Sequence, residues 1–172
     1  HRHLGVGLGH LRDEGVVGQR LMKILGPSPF TAELIIRAPD VVKQLSDGAA
    51  GPKLLETKPE QVSSALVNST KRHADPDKAV SVARSLRRAE LARIAAADLL
   101  GFLPVQQVCY ELSTIWNAVL EAALRAEVRA WRLENDNDEP PARIAVIGMG
   151  RLGGLYVAAR RGPALDLVCM CT

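Results

Sequence analysis

Aromatic residues are scarce, at 3% of a 172-residue chain. Proteins that grip nucleic acid usually stack bases on aromatic side chains amid basic ones, and no such stripe is present. Cysteine is scarce too. Cys109, Cys169 and Cys171 make an odd count with no C-x-x-C pair. That excludes a disulfide-built secreted scaffold, and no histidine stands at ligand spacing to suggest structural zinc. No run of about 18 apolar residues exists, so no membrane-spanning helix is expected. A basic-then-apolar leader is also missing, which leaves the cytosol as the default compartment. Charge of either sign is not in large excess: 22 Lys and Arg against 19 Asp and Glu give +3. Neither nucleic acid nor a membrane is therefore an expected partner.

What is present is normal for a folded soluble chain: 47% hydrophobic and 24% charged residues. This length suits one domain, or a domain with part of a second. The chain opens on His1 with Gly5, Gly7 and Gly9, and closes on Thr172 after the apolar run Leu167 to Cys171. A strand ending there would leave an unpaired edge, so a fragment cut inside a domain is expected.

Helix signals dominate. Val16 to Leu25 forms a first helix stopped by Gly26-Pro27. Ser28 or Thr31 caps a second over Ala32 to Arg37, broken before Pro39. Asp40 can cap a short third, Val41 to Leu45, and Ala49 to Thr57 is a loop or short turn. Thr57-Lys58-Pro59-Glu60 opens a helix to about Lys71. Asp75-Pro76 opens a long helix over about 76–100, with Gly101 past its end. Pro104 opens another over about 104–133. On it Val105, Cys109, Leu112, Trp116, Val119, Ala123, Ala126 and Ala130 recur in steps of four and three. The short link between the two long helices predicts an antiparallel pair in a helical bundle.

Composition changes after the acidic, proline-containing stretch Glu134 to Pro141. Arg143 to Ile147 reads as a strand, and Leu165 to Cys171 as another. Between them lies Gly148-Met149-Gly150-Arg151-Leu152-Gly153-Gly154. Glycines after a strand let backbone N–H groups approach phosphate oxygens. One interpretation is a dinucleotide-binding unit, since Gly148, Gly150 and Gly153 fit G-x-G-x-x-G. It needs a longer helix than Leu155 to Arg161 and an acidic residue ending the second strand. The other is a polymerase-β-type nucleotidyltransferase. There a glycine pair binds the triphosphate, and two carboxylates at i and i+2 on one strand face hold two Mg²⁺ ions.

Three further stretches make the comparison specific. Arg84 to Gly101, with the Arg-Arg-Ala-Glu-Leu-Ala-Arg-Ile segment from Arg87 to Ile94, precedes Ile144 to Gly154. Gln19 to Phe30 and Arg37-Ala38-Pro39-Asp40 lie upstream. Together these resemble the glutamine synthetase adenylyltransferase family over about residues 15–171. The resemblance implies a two-halved enzyme: one half attaches AMP from ATP to a tyrosine of glutamine synthetase, and the other removes it by phosphorolysis. The helices here resemble the lead-in to the second, attaching half. It also implies Mg²⁺ as cofactor, and ATP, glutamine synthetase and a PII-type nitrogen signal protein as partners. Gly153 and Gly154 would face the nucleotide phosphates and Arg151 would contact one of them.

The departure from the family pattern is equally specific. The family continues past its glycine pair with a glutamate, then G-S-D-x-D. Here Leu155 to Arg161 lead into Gly162-Pro163-Ala164-Leu165-Asp166, so Ala164 stands for the first aspartate and Asp166 for the second. Asp166 is the one remaining candidate metal ligand, and no catalytic set is intact. A shifted reading of the gene after Gly154 is favoured over a degenerate copy, because the loss is confined to one segment.

The remaining polar residues have plainer roles. Asp98, in an apolar stretch, is expected to be satisfied by an arginine or a helix end. Arg84, Arg87, Arg88 and Arg93 are expected on a solvated face, with Glu90 spaced to pair with Arg87 and Arg93; the sharper alternative is a docking surface. Trp116 is expected in the core, and the four histidines are given no role. The expected architecture is mostly α: a helical domain over 1–134, a linker over 135–141, and the truncated start of an α/β nucleotidyltransferase domain over 142–172. The expected function is that of an inactive fragment of an adenylyltransferase controlling nitrogen assimilation. The alternatives are a non-catalytic helical interaction module and a dinucleotide-binding fragment.

Overall fold

The computed structural model describes residues 3–139, 144–148 and 167–171. It is mostly helical. Five α-helices are α1 (His3–Leu25), α2 (Pro29–Arg37), α3 (Pro59–Thr70), α4 (Pro76–Leu99) and α5 (Val105–Asn135). Two short ladders accompany them: β1 (Asp47–Gly48) with β2 (Gly51–Pro52), and β3 (Ile144–Gly148) with β4 (Leu167–Cys171), both antiparallel. The chain divides into two compact units, His1–Lys58 with Arg88–Pro104, and Pro59–Arg87 with Val105–Thr172. One helix, α4, thus supplies residues to each.

Proline and polar caps set most helix ends. Ser28 caps α2, its hydroxyl accepting from the Thr31 N–H at 3.3 Å, so the helix starts at Pro29 rather than Ala32. Asp75 caps α4 by accepting from the Asp77 N–H at 3.0 Å. At the other end of α4, Phe102 N–H donates to the Ala97 carbonyl and Gly101 N–H to that of Asp98, both at 2.9 Å. This is the paired closure that needs a left-handed residue, and Gly101 sits at φ 73°.

Three local expectations change. α1 begins at His3 rather than Val16, with Gly5, Gly7 and Gly9 inside it. Glycine weakens a helix by about 1 kcal/mol but does not forbid one, and extending a formed helix is easier than nucleating one. Asp40 is not a cap: residues Pro39–Leu45 form a 3₁₀ helix with no side-chain cap bond. The Asp40 carboxylate instead takes the Lys43 ammonium at 2.6 Å. That partner holds its carboxyl below the usual carboxylate range. The stretch 49–57 also holds more structure than a loop, with the β1–β2 ladder and a 3₁₀ turn at Lys53–Leu55.

The first unit closes around Ile24, Leu34, Ile35, Val41, Leu45, Leu54 and the alanines Ala92, Ala95, Ala96 and Ala97 of α4. Alanine lets the other elements approach the helix backbone closely. Among them runs Arg93, only 1% exposed. It donates to the Leu54 carbonyl and to the Glu90 carboxylate, each at 2.8 Å. The expected solvated face is therefore wrong at this position, although the Glu90–Arg93 pairing is right. Asp98 is likewise not buried but exposed.

The second unit is built on α3 packed along α5. Leu66 of α3, Ala83 of α4, and Ile115, Ala118, Val119 and Ala122 of α5 form its core, with Val62 and Val67 beside them. Burying a side chain such as Leu66 or Ile115 contributes roughly 1.5–3 kcal/mol. The buried stripe of α5 is Leu112, Ile115, Val119, Ala122 and Ala126. It shares Leu112, Val119 and Ala126 with the expected stripe but runs through Ile115 and Ala122 instead of Trp116 and Ala123. Val105, the expected first member, is 68% exposed. Trp116 is half-buried, and the Arg87 guanidinium lies over its ring, 4.2 Å from the centroid. α5 ends at Asn135, and Asp136 at φ 47° turns the chain out of the helix.

Replacing Arg93 with Ala should destabilise the chain by about 3 kcal/mol or more in urea unfolding, because it strands a carbonyl and a largely buried carboxylate. Adding Glu90→Ala should recover part of that loss. Gly101→Ala should cost about 1–2 kcal/mol in the same measurement, the strain of a left-handed alanine.

Candidate functional site

The glycine strand chosen from sequence is β3, and its ladder with β4 fixes how the segment between them is tethered. Ile144 stands opposite Cys171 and Gly148 opposite Leu167. The chain therefore leaves β3 and enters β4 at one end of the ladder. Arg151, Gly153, Gly154 and Asp166 all belong to that connection and lie outside the described residues. So does Ala164, which the resemblance sets where the first aspartate is expected.

The direction of pairing discriminates between the two phosphate chemistries. A dinucleotide-binding βαβ unit joins parallel neighbours through a crossover helix. The β3–β4 ladder is antiparallel, so the dinucleotide interpretation does not fit it.

The carboxylate set decides the fit of metal. Two Mg²⁺ ions need at least a pair of carboxylates on one face, and the sequence supplies only Asp166 beside Ala164. Among the described residues no cluster of three or more His, Cys, Asp or Glu could hold an ion. The residues present do not fit a two-metal site, and no step is derived through one.

Among the described residues, polar chemistry is concentrated elsewhere. In the second unit Tyr110 of α5 donates its hydroxyl to Glu60 Oε1 of α3 at 2.7 Å. The Glu60 carboxylate holds the phenol above its ordinary value of 10.0, first by the hydrogen bond and then by charge. Arg129 of α5 donates to the carbonyls of Thr70 and His73 at 3.0 and 2.9 Å, closing the C-terminal end of α3. In the first unit Arg20 of α1 donates to the Leu45 carbonyl and to Asp47, and lies 5.2 Å from the Phe102 ring centroid. A cavity of about 270 Å³ beside it is lined by Val16, Gln19, Arg20, Lys23, Leu100 and Phe102.

None of these pairs was visible in sequence. Glu60 and Tyr110 stand 50 residues apart and Arg129 and Thr70 stand 59 apart. Glu60 reads locally as a helix-opening residue, which hides its long-range partner.

A family profile described as glutamate-ammonia ligase adenylyltransferase matches residues 18–172. The chain belongs to the glutamate-ammonia ligase adenylyltransferase family. It is 67% identical over 164 residues to a Corynebacterium diphtheriae protein named bifunctional glutamine synthetase adenylyltransferase/adenylyl-removing enzyme, covering 94% of the chain. Proteins of the same name in Corynebacterium glutamicum and Mycobacterium tuberculosis are 57% and 51% identical, over 94% and 95% of it. The chain spans 15%, 15% and 16% of the lengths of these three relatives. No solved structure matches the chain. The family match runs through the segment that departs from the D-x-D pattern. No described helix is long and apolar enough to cross a membrane.

The Tyr110–Glu60 bond has a pH signature. Phenolate absorbance in the wild-type protein, less that of Tyr110→Phe, should titrate above pH 10, and Glu60→Gln should bring the midpoint down. The sign follows from the raised value. The bond's contribution to stability is complete below the ordinary tyrosine pKa and is lost as pH rises through the elevated one.

Proposed function

We propose that this chain is a segment of an enzyme that transfers AMP from ATP to a tyrosine of glutamine synthetase, and that the same enzyme reverses the modification by phosphorolysis. The observation that carries this reading is the family match over residues 18–172, which joins the helices to the glycine strand. The names of the relatives state both attachment and removal of the adenylyl group. On this reading α3, α4 and α5 lead into a polymerase-β-type nucleotidyltransferase domain that begins at β3. The segment belongs to the attaching half. Gly153 and Gly154 cradle the phosphates, and Arg151 pairs with one of them. The enzyme works in the cytoplasm with Mg²⁺, and a PII-type signal protein reports nitrogen status to it.

The 172 residues themselves do not catalyse, since Ala164 removes half of the carboxylate pair. That incomplete donor set favours a second reading for the isolated chain, a helical module that binds a partner without chemistry.

The full-length protein, given Mg²⁺ and ATP labelled at the α-phosphate, should label glutamine synthetase, whereas the isolated chain should not. Failure of the full-length protein to add or remove the group would sink the adenylylation reading. Sequencing the gene across the codons for Gly154 to Asp166 should reveal a frame that supplies the glutamate and D-x-D. Confirmation of the present reading there would instead support a degenerate copy.

A further inference from the structure

The cavity of about 270 Å³ in the first unit has two unlike walls. Val16, Gln19, Arg20 and Lys23 are spaced i, i+3, i+4 and i+7, so one face of α1 supplies the first. Leu100 and Phe102 supply the second, one on each side of Gly101. The left-handed closure of α4 at Gly101 thus also sets this wall. Both residues are half-buried and packed on the core beneath, so the wall is apolar and anchored.

The α1 wall carries the charge, and no carboxylate lines the cavity. Asp47 takes one Arg20 N–H at 2.7 Å and the Leu45 carbonyl another at 2.5 Å, which hold the guanidinium in place. Its side chain is only 16% exposed. Three of its five N–H donors have no acceptor among the described residues. Lys23 is exposed and has no hydrogen-bond or ion-pair partner among the described residues. It is not needed to close α4. The carbonyls of Ala96, Ala97 and Asp98 already accept from the N–H groups of Leu100, Phe102 and Gly101.

We propose that this cavity binds a small monocarboxylate with a short apolar body. The carboxylate takes the Lys23 ammonium and the uncommitted edge of Arg20. The apolar body covers Val16, Leu100 and Phe102 and displaces water from them. A bare inorganic anion would leave that wall wet, and a neutral molecule would leave the ammonium without a counter-charge. The space suits a molecule of about ten heavy atoms. Occupancy ties α1 to the end of α4 and so stabilises the first unit. No residue of the site belongs to the glycine strand, and the binding stands apart from the transfer chemistry.

Phenylacetate is the probe, titrated into the full-length protein by isothermal calorimetry, with phenylacetamide and inorganic phosphate as comparisons. A Kd of about 1 mM is expected for a molecule of this size. Phenylacetamide, the same shape without the charge, should bind about tenfold more weakly, and phosphate should not displace phenylacetate. Lys23→Gln should weaken phenylacetate binding about tenfold, and Val16→Phe, which fills the cavity, should abolish it. Lys23 is exposed, so its variant should keep the wild-type unfolding midpoint, and its weaker binding then cannot be loss of fold. Absence of phenylacetate binding overturns the proposal. So does equal binding of phenylacetamide, which removes the role of charge, or displacement by phosphate, which makes the site one for a bare anion. A Kd unchanged in both variants places phenylacetate elsewhere on the protein and overturns it as well.

Discussion

A guanidinium among alanines is stable only when its N–H groups find acceptors, and Arg93 meets that condition by binding two parts of the chain at once. The carbonyl of Leu54 comes from the 3₁₀ turn that ends the N-terminal segment, and the carboxylate of Glu90 from one turn back on α4. The 39-residue separation between Arg93 and Leu54 makes this a long-range staple. It fixes the register between the turn and the alanine face, and the apolar cluster of Ile24, Leu45 and Leu54 is assembled against that face. The second unit uses arginine in a related way. Arg129 reaches the carbonyl of Thr70, the last residue of α3, and that of His73 just beyond it. With few aromatic residues, both cores are built mainly of Ile, Leu, Val and Ala, with Phe30 and Phe102 packed against the first.

What could be read from sequence followed the range of the interaction. The start of α3 at Pro59, the start of α4 at Pro76 and the left-handed closure at Gly101 depend on neighbours within a few residues, and those breakers were sufficient. The stripe on α5 was half legible. Leu112 and Val119 are unambiguous, but alanine lies on several faces of the helix. Ala123 therefore competed with Ala122, and Trp116 with Ile115, at almost equal spacing. Arg93 looked like part of a charged face because its neighbours Arg84 and Arg88 are charged too. Only the folded chain shows that its side chain turns inward to a carbonyl far away in sequence.

The candidate site divides along the same line. Its family was legible because Ile144 to Gly154 and the helices before it carry a residue pattern, and such a pattern is a local property. The direction of the β3–β4 ladder was not, since consecutive strands may pair either way until their register is known. The Tyr110–Glu60 bond was invisible for the same reason as that of Arg93 to Leu54, its partner lying on another helix. Charge at Glu60 is thus doubly committed, to opening one helix and to holding another.

The division of the chain into its units bears on how it forms during synthesis. Neither unit is a contiguous stretch: Arg88–Pro104 completes the first, and Pro59–Arg87 belongs to the second. As the chain leaves the ribosome, α3 emerges before α4 and α5, whose described residues share its core. It must wait, with Leu66 exposed, while α4 is made and the first unit closes over Arg93. Only after α5 has emerged can the second unit bury that leucine. The order of closure is written into the interleaving, and the interval in which α3 stands unprotected is set by the length of α4 and the residues up to α5.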